Sequence, residues 1–179
     1  MALFTGKGDG GTTKAFDTAK GVRISKASPL PEALGTLDEL NAFLGYVRVC
    51  AEGEGRIAGI LRDTQEKLFI VQAELAGSDK RLPEGTVAGV EDIVNGIEAE
   101  IPPLKGFSIA GGTELSALLD VARTTARRAE RRATAVADDG IRDLSPETKA
   151  YLNRLSSLLF ALARLANHEA GVAEENPRY

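Results

Sequence analysis

The 179-residue sequence has little of the chemistry that most enzymes use, because it contains one cysteine, Cys50, and one histidine, His168. A single thiol cannot form an intramolecular disulfide or build a zinc cluster, and it favours a reducing, cytoplasmic setting. A single histidine supplies no Ser-His-Asp or Cys-His pair to assign, and the paired Glu-x-x-His motifs of di-iron bundles are missing. The sequence therefore excludes these catalytic classes.

Long apolar runs are also missing, since no stretch approaches the roughly 18 residues that a membrane-spanning helix needs. Residues 1–6 lack the basic and then apolar pattern of a secretory signal. Lys and Arg number 22 against 26 Asp and Glu, a net charge of −4 that disfavours a general nucleic-acid binder. We expect a soluble, unprocessed, cytoplasmic protein that contacts neither membrane nor nucleic acid.

The apolar residues, 43% of the chain, recur at helical spacing along five stretches. The predicted helices cover about residues 31–50, 57–75, 84–100, 113–136 and 146–170. The inner side of the fourth helix carries small residues, which predicts close packing, and the glycine-rich segment 106–112 before it predicts an extended connector. No stretch alternates with period two, so the sequence predicts an all-α bundle in one domain. Its predicted parts are an N-terminal loop segment (1–30), the helical bundle (31–172) and a C-terminal tail (173–179).

Residues 5–13 read Thr-Gly-Lys-Gly-Asp-Gly-Gly-Thr-Thr, which predicts a loop. The loop matches Gly-x-Gly-x-x-Gly, but no strand precedes it and no βαβ unit follows, so a dinucleotide fold is disfavoured. Glycine amides can close on anionic oxygens, and Asp9 would lie where a phosphate-bound Mg²⁺ could use it. A mobile N-terminal tail is the alternative interpretation. The side chains suited to a polyphosphate are Thr5, Lys7, Thr12 and Thr13.

The predicted fourth helix carries a row of arginines that repel one another at i, i+4 spacing. An acidic partner should therefore face them, either Asp38 and Glu39 of the first helix or a bound triphosphate. A solvated basic face is the ordinary alternative, and Glu130 interrupts the row, which disfavours nucleic-acid binding. The arginines are Arg123, Arg127, Arg128, Arg131 and Arg132.

Asn153 lies beside the apolar stripe of the fifth helix. Asparagine is a moderate helix former at best, so one beside a core usually hydrogen-bonds a specific group. A ligand and an ordinary structural hydrogen bond both remain open for this side chain.

Taken in order, these segments resemble the PduO-type ATP:cob(I)alamin adenosyltransferases. The most specific blocks are Gly-Thr-Leu-Asp-Glu-Leu-Asn at residues 35–41 and Arg-Arg-Ala-Glu-Arg at residues 127–131. The likeness spans nearly the whole chain. The matching segments are residues 5–9 with Gly11 and Thr12, 23–26, 32–45, 107–112, 122–132 and 151–156, with Asn167 and Gly171 near the end.

The resemblance implies a five-helix bundle of the ferritin-like or cobalamin adenosyltransferase-like kind, assembled as a homotrimer with ATP and a corrinoid at each subunit interface. It implies that cob(II)alamin binds without its lower ligand and is reduced, and that Co(I) then attacks the 5′ carbon of ATP and expels triphosphate. Mg²⁺ and K⁺ are the implied cations. A reductase and an adenosylcobalamin-dependent acceptor enzyme are the implied partners, and a non-catalytic ATP sensor or cofactor-delivery protein is the alternative.

The resemblance also implies roles for individual residues. Arg127 would act on the triphosphate, Arg123 would pair with Asp38 across the subunit boundary, and Phe107 would lie under the corrin. This sequence departs from the family pattern at Ser157, at Ala110 and in the loop arrangement of Lys7 and Gly10. The implied nucleotide-binding residues are Thr5, Gly6, Lys7, Gly8, Asp9, Gly11, Thr12, Thr13, Lys14, Lys26, Arg127, Arg128, Glu130, Arg131 and Asn153.

Overall fold

The computed structural model describes residues 3–16, 22–51 and 55–179, and within these ranges the chain forms five helices. Helix α5 packs against α3 and α4, and α1 packs against α2 and α4. The predicted five-helix bundle is confirmed, with each predicted helix end within two residues of the observed one. The helices are α1 (Pro29–Cys50), α2 (Arg56–Leu75), α3 (Thr86–Glu100), α4 (Glu114–Asp138) and α5 (Pro146–Glu169).

A small antiparallel sheet precedes the bundle, formed by β1 (Thr12–Thr13) and β2 (Ile24–Ser25). The backbone amide of Lys26 extends it by donating to the Gly11 carbonyl at 2.9 Å. The sequence does not predict this small sheet, because two-residue strands are too short to show an alternating pattern. The sheet folds the glycine-rich loop back onto the residues before α1.

The core lies where the apolar stripes of the helices meet. A row of alanines on the inner face of α4 is almost completely buried, each with at most 1% of its surface exposed. These short side chains let neighbouring helices approach closely, as the sequence predicts. No helix in the described part of the chain is both long and apolar enough to cross a membrane. The buried α4 alanines are Ala122, Ala126, Ala129 and Ala133.

A buried carboxylate ties the end of α2 to the start of α5. Glu74 accepts hydrogen bonds from the Ser145 backbone amide at 2.6 Å and from the Thr148 hydroxyl at 2.6 Å. The Arg81 guanidinium lies 3.4 Å from the same carboxylate. Ser145 is the N-cap of α5, so Glu74 satisfies polar groups that the start of a helix otherwise leaves without partners.

We expect Glu74→Gln to lower the free energy of unfolding by about 1–3 kcal/mol, because the amide places a donor against donors that need an acceptor. Urea denaturation of the purified variant measures this loss. Glu66→Gln is the matched control, since Glu66 lies exposed on the same helix and should change stability by less than about 0.5 kcal/mol. Equal stabilities of the two variants would contradict the role of Glu74.

The connector between α3 and α4, residues 101–113, contains no helix, in agreement with the prediction of a non-helical connector at 106–112, and is held at its end by Asn167 of α5. The Asn167 amide donates to the Gly111 carbonyl at 2.9 Å, and its oxygen accepts from the Thr113 amide at 2.9 Å. Gly112 has a positive φ of 98°, and a Cβ atom there would lie 2.5 Å from the Asn167 Oδ1. The close approach of connector and helix therefore requires glycine at position 112.

Gly112→Ala should destabilise the protein by about 1–3 kcal/mol, since the new methyl group strains the backbone and displaces Asn167. Gly89→Ala is the control of opposite sign. Gly89 lies exposed inside α3 with open space around it, so alanine should stabilise the helix by up to about 1 kcal/mol. Thermal unfolding of both variants compares them, and a neutral Gly112→Ala would refute the close contact.

Candidate functional site

An open cleft of about 350 Å³ lies between α4 and α5. Across it, the Asn153 amide donates to the Glu130 carboxylate at 2.9 Å, and the Asn153 oxygen accepts from Arg154 at 2.9 Å. The structure therefore brings four predicted site residues to one place, and Asn153 spans the two helices. The cleft is lined by Arg127, Glu130, Arg131, Thr134, Ala135, Asp138 and Asn153.

The arginines of α4 divide into two groups. Arg128 donates to Glu39 of α1 at 2.6 Å, and Arg132 lies 3.6 Å from Glu32 of the same helix. The predicted acidic partner on α1 is thus confirmed for Arg128. Arg127 and Arg131, by contrast, form no ion pair with any residue that the structure describes. Two guanidinium groups therefore line the cleft without an ion pair among the described residues, although the Glu130 and Asp138 carboxylates line the same cleft.

Two predicted site residues of this region lie outside the cleft. Arg128 is engaged with α1, and Arg123 donates to Asp120 of its own helix at 2.8 Å, with its guanidinium 5.8 Å from the Phe160 ring centre. Asp38 is exposed on α1. The pair between Asp38 and Arg123 of another copy stays a prediction.

The glycine-rich loop forms two successive turns. The Asp9 amide donates to the Gly6 carbonyl at 3.2 Å, and the Gly11 amide donates to the Gly8 carbonyl at 3.1 Å. The Lys26 ammonium lies so close that a Cβ atom on Gly8 would be 3.1 Å from it. The Asp9 and Gly11 amides are used within the turns, so the groups suited to an anion there are the Lys26 ammonium and the loop amides that these bonds leave unused.

Arg23 is a residue of this loop that sequence reasoning did not assign to the site. Its guanidinium donates to the Thr12 hydroxyl at 2.8 Å and to the Thr12 carbonyl at 2.7 Å, and so fixes β1 beside β2. The Thr12 hydroxyl remains able to donate its own hydrogen. The sequence could have indicated Arg23, because it begins the segment 23–26 that resembles the family.

The loop and the cleft lie at the same end of the bundle. An apolar pocket beside β2 is lined by Ala15 and Ile24 from the loop side and by Ile141 and Arg142 from the turn after α4. Asp138, three residues before Ile141, lines the cleft. The residues that flank the glycine-rich loop therefore lie against the turn after α4, the helix that carries most of the cleft.

Phe107 lies on the connector, before the other end of α4, and 78% of its surface is exposed. Ile109 and Leu104 on the same connector are also about half exposed. Arg127 lies 13 residues into α4, about 20 Å along its axis from Glu114. Phe107 is not among the residues that line the cleft, so the described part of the chain presents this apolar surface and the cleft with Arg127 and Arg131 separately.

Comparisons with known proteins agree on one family. Residues 3–166 match the family model described as Cobalamin adenosyltransferase. The corrinoid adenosyltransferase PduO of Citrobacter freundii is 40% identical over 178 residues, which cover 95% of this chain and 51% of that protein. The corrinoid adenosyltransferase of Bacillus subtilis (strain 168) is 35% identical over 181 residues, covering 97% of this chain and 91% of that protein.

One solved structure is a variant of the PduO-type ATP:corrinoid adenosyltransferase from Lactobacillus reuteri, in which a phenylalanine is replaced by alanine, complexed with cobalamin and ATP. It superposes with a TM-score of 0.90 at 27% identity, covering 99% of this chain and all of that one. The chain spans about half the length of the PduO proteins of Citrobacter freundii and Salmonella typhimurium. The chain belongs to the PduO-type cobalamin adenosyltransferase family.

Proposed function

We propose that this chain is a corrinoid adenosyltransferase, which transfers the 5′-deoxyadenosyl group of ATP to cob(I)alamin and releases triphosphate. The observation that carries the proposal is the division of the α4 arginines, because Arg127 and Arg131 line the cleft and form no ion pair with a described residue. Their guanidinium groups are therefore free to donate to the oxygens of a triphosphate. The family of the chain, and the cobalamin and ATP bound by its Lactobacillus reuteri relative, support the same activity.

The proposed reaction needs no general acid or general base. The Co(I) of the corrinoid substrate forms a bond to the 5′ carbon of ATP, and the bond from that carbon to the triphosphate oxygen breaks with its electron pair. No proton moves, which fits a chain with one histidine and one cysteine. The task left to the protein is to position two large substrates and to neutralise the leaving triphosphate, for which Arg127 and Arg131 are placed.

The glycine-rich loop and the cleft between α4 and α5 would both contact the bound ATP. The amides of the loop turns, the Lys7 and Lys26 ammonium groups and the Thr5, Thr12 and Thr13 hydroxyls are suited to the phosphate oxygens. No group of three or more His, Cys, Asp or Glu side chains within the described ranges could hold a metal ion. Mg²⁺ would bind as a complex with the ATP phosphates, and Asp9 is the carboxylate of the loop that could contact it. We assign no residue to K⁺.

We further propose that two copies of the chain complete each site, in a homotrimer. Phe107 and the cleft lie toward opposite ends of α4, and Asp38 and the partly exposed Arg123 would pair across the boundary. Phe107 would cover the lower face of the corrin and keep water or dimethylbenzimidazole from cobalt. We also propose that residues 1–30 form a nucleotide-binding segment and residues 31–172 the bundle. The protein would act in the cytoplasm with a reductase and an acceptor enzyme.

The activity is tested by mixing the protein with ATP, Mg²⁺ and chemically reduced cobalamin under anaerobic conditions. We expect the absorption spectrum to change to that of an alkylcobalamin, with one triphosphate released per cobalt–carbon bond formed. ATP binding without that spectral change would refute the enzyme and favour a sensor or cofactor-delivery protein. Triphosphate release without corrinoid would instead indicate simple hydrolysis.

Arg127→Ala should lower kcat/KM for adenosylation by at least about 100-fold, because it removes a donor that stabilises the leaving group. Arg132→Ala is the matched control on the same helix, since Arg132 pairs with Glu32 outside the cleft and should change kcat/KM by less than about threefold. Both side chains are largely exposed, so thermal unfolding should be unchanged in both variants. Comparable losses of activity in the two variants would overturn the assignment.

A further inference from the structure

The connector that carries Phe107 is attached to the rest of the chain at three points. Asn167 of α5 holds its end, as described above. Arg164, one helical turn earlier, holds its start by donating to the Pro102 carbonyl at 2.7 Å. The residues that follow α5 hold its middle. Among these attachments only Arg164 uses a charged group, and only 7% of that residue is exposed.

The segment after α5 runs back along the connector. The Ile109 amide donates to the Glu175 carbonyl at 2.8 Å, and the Asn176 side chain donates to the Phe107 carbonyl at 2.7 Å. These two bonds hold the backbone from the Phe107 carbonyl to the Ile109 amide. The backbone position from which the Phe107 ring projects therefore depends on where residues 174–176 lie.

Arg164 also determines the position of this segment. Its guanidinium donates to both carboxylate oxygens of Glu174, from Nε at 2.6 Å and from Nη2 at 3.1 Å. The Glu174 side chain is about three-quarters buried. A two-bond contact between a guanidinium and a carboxylate fixes orientation as well as distance, and removal of one partner leaves the other charge poorly solvated. One buried cation thus links the start of the connector to the tail that holds its middle.

We propose that Arg164 is a positioning residue for the corrinoid: through Glu174 it holds residues 174–176 against the connector and so fixes Phe107. The inference rests on the proposed function, because it assigns the Phe107 surface to the corrinoid. It adds that the tail forms part of the site, where the sequence indicates only a terminal segment.

The geometry also predicts which substrate is affected. Arg164 lies 11 residues after Asn153 on α5, about 17 Å along the helix axis from the cleft that faces the triphosphate. Loosening the tail should therefore weaken corrinoid binding and leave ATP binding unchanged. A general loss of structure would weaken both.

The test uses Glu174→Gln, which keeps the shape of the side chain and removes its charge, and Asn176→Ala, which removes only the bond to the Phe107 carbonyl. Both should raise the KM for the corrinoid by about tenfold, with the Kd of ATP from calorimetry within about twofold of wild type. Arg164→Lys should behave like Glu174→Gln, since one ammonium group cannot reproduce the planar set of donors. Glu66→Gln on α2 should match wild type in every measurement.

A second measurement needs no corrinoid. Hydrogen exchange of the Ile109 amide reports directly on the bond to Glu175, and Glu174→Gln should accelerate it by about tenfold or more in otherwise folded protein. Unchanged exchange would overturn the role of Arg164. Faster exchange with an unchanged corrinoid KM, or equal losses for ATP and corrinoid, would overturn the link to Phe107. If wild-type protein forms no alkylcobalamin, the proposed function fails and its corrinoid assignment with it, while the exchange result still decides whether Arg164 holds the tail.

Discussion

The close approach of α4 and α5 is the constraint on which both halves of the site depend. Buried alanines on α4 replace the larger side chains that would separate the two helices, and interhelical distance follows the size of the residues at the contact. Toward one end of this interface, Asn153 reaches Glu130 across the cleft. Toward the other, Asn167 reaches the connector and Thr113. A larger residue in place of Ala126 would therefore move α4 away from α5 and displace both the cleft residues and the connector that carries Phe107.

Ion pairs between α4 and α1 determine which arginines of α4 remain unpaired. The bonds of Arg128 and Arg132 to α1 are exposed ion pairs, which contribute little to stability, typically less than about 1 kcal/mol each. Their larger effect is selective, because they pair the arginines that face α1 and leave Arg127 and Arg131, which line the cleft, without ion pairs among the described residues. These two arginines are the ones that the proposed function assigns to the triphosphate.

The sequence is sufficient to predict those features of the fold that come from a repeated spacing of residues. Apolar spacing locates the five helices, and i, i+4 spacing reveals the arginine row and its need for a counter-charge. It does not reveal which arginine meets Glu39, because that depends on how α1 and α4 pack. The contacts of Glu74 and Asn167 join residues more than 50 positions apart, and their only local signal is a polar side chain on an otherwise apolar face. The two-residue strands leave no pattern at all.

The tail contacts have a practical consequence for how the protein is handled. The bond from Asn176 to the Phe107 carbonyl lies three residues before Tyr179. A purification tag, a fluorescent fusion or any further stretch of chain that follows this segment is therefore joined close to the bonds that hold the Phe107 backbone. Under the proposed roles, corrinoid affinities measured on such material reflect the attachment as well as the protein, whereas nucleotide affinities report on a cleft about 17 Å away along α5.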